Sequence, residues 1–178
     1  HQKSLFAALG FSPDSVLSMD GSPYEKPDFV HDLNLTVPPA LHNAFDIVFD
    51  GGTVEHVFSI KDALFNIVRM LKPGGLALHH APVDWPDHGF YNLNPTLFRD
   101  FYLANGFEQI DLRFTAVPLE DPPPGQPGDY HFHTVFPGYL RPSHGLLLWA
   151  AFQKTHDSPP TIPVQGRYRQ AWSAAAPS

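Results

Sequence analysis

The chain contains no cysteine, which excludes disulfides, thiolate nucleophiles and cysteine-bound zinc. Basic residues are scarce: 11 Lys and Arg stand against 18 Asp and Glu, for a formal net charge of −7. A nucleic-acid binder carries a basic footprint, so DNA and RNA are not expected as partners. No apolar run approaches the roughly 18 residues of a membrane-spanning helix. The longest, Leu146 to Phe152, has the size of a strand. There is no signal-peptide pattern and no internal repeat. The expectation is a cytoplasmic protein without membrane attachment.

What is plentiful is proline, 20 of 178 residues, and histidine, 11. At this length, with 43% hydrophobic residues, one domain with a real core is expected. Residues 1–154 read as that domain. Residues 155–178, with their Pro and Ala clusters, read as an extended and partly disordered tail.

Ser4 to Leu9 reads as a helix running into Gly10, a C′ position. Three short strands follow, Ser15 to Asp20, Asp28 to Asp32 and Phe45 to Asp50, each ending in an acid. Continuous apolar runs of this length suit parallel strands covered on both faces. Ser59 with Asp62 has the spacing of a capping box. Ile60, Leu64, Ile67, Val68 and Leu71 then share one helical face, and Lys72-Pro73-Gly74-Gly75 stops that helix. Leu76 to Ala81 is a strand. Asn94-Pro95 opens a helix that ends at Asn105-Gly106. Gln109 to Val117 and Gly145 to Gln153 are two final strands. Between them, Pro118 to His144 is a long loop with the character of a lid or a proline-held surface excursion. Strands alternating with helices predict an α/β fold with a mostly parallel sheet and helices on both faces.

Four pieces in order now carry a resemblance. Phe45-Asp46-Ile47-Val48, Val54-Glu55-His56-Val57, Leu71-Lys72-Pro73-Gly74-Gly75 and Gly106-Phe107 together resemble the second half of a Rossmann-like, class I S-adenosylmethionine-dependent methyltransferase. The resemblance implies one antiparallel strand near the C-terminus, Gly145 to Gln153. It implies that Asp20 receives the ribose hydroxyls of the donor, and that Asp32 and the Leu33 N–H meet the adenine. The methionine part would pass Asp50 and Gly51. Ligands in open α/β sheets do bind beyond the carboxyl ends of strands, although an Asp there also serves as a plain turn former. The family's first, central strand and its Gly-rich turn are missing. The expectation is an N-terminally incomplete domain in which the strands ending at Asp20 and Asp50 either pair directly or leave a gap, and in which upstream residues belong to the intact protein.

Some members of the family carry a Glu-x-x-Glu-His motif that, with a later His, holds a divalent metal. Glu55 and His56 match its last two positions and His88 the later one, while Gly52 stands in place of the first Glu. Glu55, His56 and His88 are thus candidate metal ligands, and two His with one Glu would leave open positions. His56 and His88 are candidate catalytic residues, as general bases on an acceptor hydroxyl, and His80 is a third. Of His79 and His80 only one can face the cleft, since neighbours on a strand point to opposite sides. His131 and His133 share one side of an extended segment. Trp85, Tyr91, Asn92 and Asn94 suit either a ring-shaped acceptor such as a sugar or ordinary loop packing. No nucleophile-elbow pattern exists, which argues against a hydrolase.

The expected function is methyl transfer from S-adenosylmethionine to an oxygen of a small molecule or glycan. The alternatives are a non-catalytic module of the same fold that binds a protein, and a metal-binding domain centred on Glu55, His56 and His88.

Overall fold

The computed structural model describes residues 2–119, 127–128, 131–133 and 144–169. In chain order these form α1 (Gln2–Ala8), β1 (Met19–Asp20), β2 (Phe29–Val30), β3 (Phe45–Gly51), α2 (Ile60–Met70), β4 (Leu71–Asp84), α3 (Pro95–Ala104), β5 (Phe107–Pro118), β6 (His131–His133) and β7 (His144–Lys154). Short 3-10 turns at Pro13–Ser15, Pro39–Leu41 and Val54–His56 connect them.

The helices form for the local reasons the sequence carries. Gly10 closes α1 at φ +92°. In α2, Leu64, Ile67 and Val68 recur at helical spacing and are buried. Asn94 caps α3 by accepting from the Thr96 N–H at 2.9 Å, with Pro95 at the first helical position. The capping box expected at Ser59 and Asp62 is not made. Ser59 Oγ donates to Asp62 Oδ2, and the Ser59 N–H goes to Asn34 Oδ1. Aspartate is one methylene shorter than the glutamate of a capping box, and here it meets the hydroxyl rather than the backbone.

The main sheet has the order β3-β4-β7-β5-β6. β3 and β4 are parallel, with Ile47 beside Leu76 and Asp50 beside His79. β7 lies antiparallel between β4 and β5, and β6 is antiparallel at the edge. Three of the five strands therefore run one way, in an α/β arrangement of Rossmann-like kind. β7 is the antiparallel strand expected at Gly145 to Gln153. A second antiparallel strand, β6, corrects the reading of Pro118 to His144 as loop throughout; most of that stretch lies outside the described residues. Alternation along β4 turns Ala77, His79 and Ala81 into the core beneath α2 and α3, and leaves Leu76, Leu78 and His80 half-buried on the opposite face. There, at the sheet's edge, Phe6 of α1 meets Phe49 of β3, ring centroids 5.9 Å apart.

β1 and β2 form a separate two-stranded parallel sheet. They do not pair with β3. Between them lies a cavity of about 450 Å³ that follows β3 from Ala44 to Gly51, with Phe6, Met19, Phe29 and Ile67 among its walls. Of the two outcomes open for the strands ending at Asp20 and Asp50, the fold takes the gap.

Beyond β7 the chain is extended to residue 165 and then makes one helical turn at residues 166–169, and it is fastened down rather than loose. Thr155 N–H donates to Gly106 O, Asn105 bonds both the N–H and the C=O of Thr161, and Gly166 N–H reaches Asp100. Residues 170–178, which complete the expected tail, lie outside the described residues.

Candidate active site

Three of the sequence-predicted side chains meet at the carboxyl end of β3. Asp50 ends the buried part of that strand. Gly51 and Gly52 then turn the chain, Gly52 at φ +84°, a conformation that favours glycine. The 3-10 turn Val54–His56 follows and carries Glu55 inward and His56 outward. Opposite stands the loop after β4, closed at its base by Leu93 N–H on Pro82 O. Two left-handed residues, Asp87 and Gly89, bend its tip. Phe90 N–H donates to Glu55 O at 2.8 Å. A Cβ on Gly89 would lie 2.9 Å from that same carbonyl oxygen, so glycine is what lets the loop descend onto Glu55 and bring His88 to it.

The result is a cluster of one carboxylate and two imidazoles. Glu55 Oε1 lies 3.6 Å from His88 Nε2 and 3.9 Å from His56 Nε2. The two rings stand 5.0 Å apart. The Glu55 side chain is 1% exposed, against 50% for His56 and 42% for His88. Glu55 Oε2 is buried without a hydrogen-bond partner. Burial pushes the Glu55 carboxyl up from its ordinary range, and the charge of Asp50 adds to this; its own backbone N–H and then both imidazoles oppose it. An unsatisfied buried carboxylate oxygen is expensive, so the site calls for a cation, a proton or a donor group at that atom.

The ligand atoms of Glu55, His56 and His88 all lie within 4.8 Å of one another. Tetrahedral ligands at about 2.1 Å from a metal stand roughly 3.4 Å apart. A small inward movement of the two exposed imidazoles would close that difference. Gly52, where the family motif has its first Glu, sits beside this group: its Cβ position is 3.4 Å from Glu55 Oε1.

The donor candidates occupy the neighbouring strand ends. Asp20 ends β1 and Asp32 lies two residues beyond β2; both are exposed. Each forms a tight side-chain turn: Asp20 Oδ1 accepts from Ser22 N–H, and Asp32 Oδ1 from both nitrogens of Asn34. The Asn34 bonds, backbone first, hold the Asp32 carboxyl below its usual range. Leu33 is half-buried against the core. Asp50 is different. Its side chain turns inward, bonded to His79, while Leu33, Asp50 and Gly51 all line the cavity.

The remaining histidines separate. His79 is buried between Asp50 and Tyr102, with 2.7 Å hydrogen bonds to each. His80 points to the opposite face and stacks on Trp149 at 4.0 Å; burial lowers its pKa. His131 lies on β6 with its ring 5.8 Å from that of His144. Neither His80 nor His131 belongs to the Glu55 cluster. Trp85 lies against His88, ring centroids 5.4 Å apart. Asn92 accepts from Trp85 N–H, Tyr91 OH donates to Phe58 O, and Asn94 caps α3. These three therefore build the loop and the helix end. Sequence reading missed Gly89, whose lack of a side chain admits the loop, and the bonded trio Asp50, His79 and Tyr102. Gly89 had a legible signal in its place between His88 and Phe90; the trio had none.

A family profile described as a methyltransferase domain matches residues 12–79. That stretch, under half of the chain, is similar to the methyltransferase domain. The matched segment spans β1 to the middle of β4 and so includes Asp20, Asp32, Glu55 and His56. No curated protein matches the chain. Similar solved structures include a Bacillus halodurans C-125 protein named as a candidate methyltransferase (11% identity, 72% of this chain and 71% of that one, TM-score 0.49). The 4+2 cyclase SpnF is another (18%, 75% and 59%, TM-score 0.46). A third is an S-adenosylmethionine-dependent methyltransferase of Thermotoga maritima, a possible histamine N-methyltransferase (15%, 71% and 63%, TM-score 0.47). The chain thus spans less than two thirds of the latter two. Among the described residues no helix is long and apolar enough to cross a membrane.

Proposed function

We propose that this protein transfers a methyl group from S-adenosylmethionine to an oxygen of a small molecule or glycan, in the cytoplasm. The observation that carries the reading is the buried Glu55 carboxylate, with Oε2 unpartnered, facing two half-exposed imidazoles at the carboxyl end of β3. An acceptor hydroxyl must lose its proton as its oxygen attacks. His56 and His88 are exposed enough to reach an acceptor, and Glu55 sits behind them to stabilise an imidazolium.

The residues present suit the donor at its nucleoside end. Asp20 and Asp32 are exposed, and each has a second carboxylate oxygen with no protein donor among the described residues. Those oxygens would accept from ribose hydroxyls and the adenine amine, with the Leu33 backbone alongside. Gly51, lacking a side chain, admits close approach of a ligand to its backbone. The bound donor supplies an electrophilic methyl; the protein contributes alignment of the acceptor oxygen with it, which is a large part of such a barrier. A divalent cation in place of that general base is the second form of the proposal, because an imidazole nitrogen that binds a metal has no lone pair left to take a proton. Glu55, His56 and His88 would hold it, and it would lower the pKa of the acceptor hydroxyl.

Calorimetric titration of S-adenosylhomocysteine into the chain tests the donor site. Saturable binding, weakened at least tenfold by Asp20→Ala, is expected. No saturable binding would overturn the donor assignment. It would favour a module that binds without catalysis, a reading the split sheet and the cavity along β3 support.

A further inference from the structure

The turn that presents Glu55 and His56 is tied to the interior through one side chain, Asp50. Asp50 Oδ1 accepts from Thr53 N–H at 3.0 Å and from Val54 N–H at 3.2 Å. Thr53 stands at the N-cap of the turn, yet its own hydroxyl makes no capping bond. The cap is therefore supplied by the carboxylate three residues earlier. Such a cap holds the turn only while the carboxylate is itself held. Its other oxygen, Oδ2, meets His79 Nδ1 at 2.7 Å. His79 Nε2 meets the Tyr102 hydroxyl, also at 2.7 Å. Asp50, His79 and Tyr102 are all buried.

The proton positions follow from the chemistry of the groups. A carboxylate is an acceptor only, so Nδ1 carries the ring proton and donates it. Nε2 is then free to accept from Tyr102. Burial, with the charge of Asp50 behind it, pushes the Tyr102 hydroxyl well above its ordinary pKa and keeps its proton in place for donation. The imidazole cannot swing away: Phe98 lies 4.5 Å from its centroid, and Tyr102 is itself stacked on Phe152 at 4.5 Å. The line of bonds runs from α3 through β4 to β3 and ends on the backbone of the Glu55 turn.

We propose that His79 is a positioning residue for the Glu55, His56 and His88 cluster: its Nδ1–H locks the Asp50 carboxylate that caps the turn bearing Glu55 and His56. His79 touches no reacting group; it acts through Asp50. The proposal rests on the functional reading of that cluster, and its first readout is independent of that reading.

The test compares His79→Asn with His79→Gln. The asparagine amide nitrogen falls near the place of Nδ1, and the glutamine amide near the place of Nε2. The two variants thus keep and lose the donor to Asp50 while both remain polar. The first readout is the backbone amide NMR shifts of Thr53 and Val54, which report the carboxylate cap directly. His79→Asn is expected to retain the wild-type shifts and His79→Gln to lose them. The second readout is zinc affinity by calorimetry, expected within about threefold of wild type for His79→Asn and at least tenfold weaker for His79→Gln, the scale on which outer-shell partners act. Identical amide shifts in the two variants would overturn the proposal. Should neither variant fold, the ring ¹⁵N shifts of His79 in the unaltered protein decide, and a proton on Nε2 with Nδ1 bare would overturn it. If the unaltered protein binds no zinc, the cation reading of the cluster fails, while the amide shifts still judge His79.

Discussion

Lys154 ends β7 with its side chain wholly buried, and replacing it by methionine measures what its ammonium holds together. The Nζ atom donates to Val68 O at 3.0 Å, Leu71 O at 2.8 Å, Asn43 Oδ1 at 3.1 Å and Asp157 Oδ1 at 2.8 Å. The two carbonyls belong to the last turn of α2 and its C-cap, groups that helix geometry leaves without partners and that favour a cation. Methionine matches the lysine stem in volume, so little cavity is created. What remains is loss of donors to two buried carbonyls, at about 1–3 kcal/mol each. Relief from burying a charge offsets part of this. Asp157 is 53% exposed and regains water when its partner goes, so it adds little. The net is about 2–4 kcal/mol of destabilisation, a fall in Tm of roughly 5–15 °C for a domain of this size. Urea and thermal unfolding of Lys154→Met against wild type measure it. A variant equal to or more stable than wild type would refute the reasoning, because it would mean that the buried ammonium costs as much as its four bonds return.

Two further outcomes are expected. Asn66 is buried in α2 and bonds Val37 N–H, Leu33 O and Leu35 O; Asn66→Leu should cost about 2–4 kcal/mol and speed proteolysis within residues 31–37, and unchanged cleavage there would count against the tether. Asp28 is held down to about 2 by the Ser18 backbone N–H, then by the Lys3 ammonium and the Ser18 hydroxyl. Its folded pKa lies below the unfolded value of about 3.9, so its contribution is present above that value and is lost as pH falls through about 2. A carboxyl NMR titration should find a midpoint near 2 that Lys3→Ala raises; an ordinary midpoint in the unaltered chain would contradict the contacts.

Much of the candidate site was legible because its signals are short-ranged. Glu55 and His56 adjoin each other in sequence and His88 follows the next strand, so strand order alone brings them to one end of the sheet, and the structure brings them together. Asp20 and Asp32 lie at strand ends, as their positions after apolar runs imply. Other features had no local signature. Ser59 and Asp62 have capping-box spacing, yet the bond formed depends on the reach of one methylene and on Asn34 arriving from elsewhere. The strand at His131 to His133 is too short for periodicity to reveal and exists only because β5 offers its edge.

The sequence by itself determined the α/β class, the two longer helices, the glycine-stopped strand at Phe45 and the pairing of acids with strand ends. Such choices are settled within one or two turns of chain, by side-chain period, caps and left-handed glycines. Only the tertiary structure decided that β1 and β2 stand apart from β3 across a cavity, that His79 joins Asp50 to Tyr102, and that Lys154 gathers acceptors from residues 43, 68, 71 and 157. Asp157 apart, their partners lie many residues away in sequence, and a buried polar group takes whichever partner the packing of the whole sheet brings within about 3 Å.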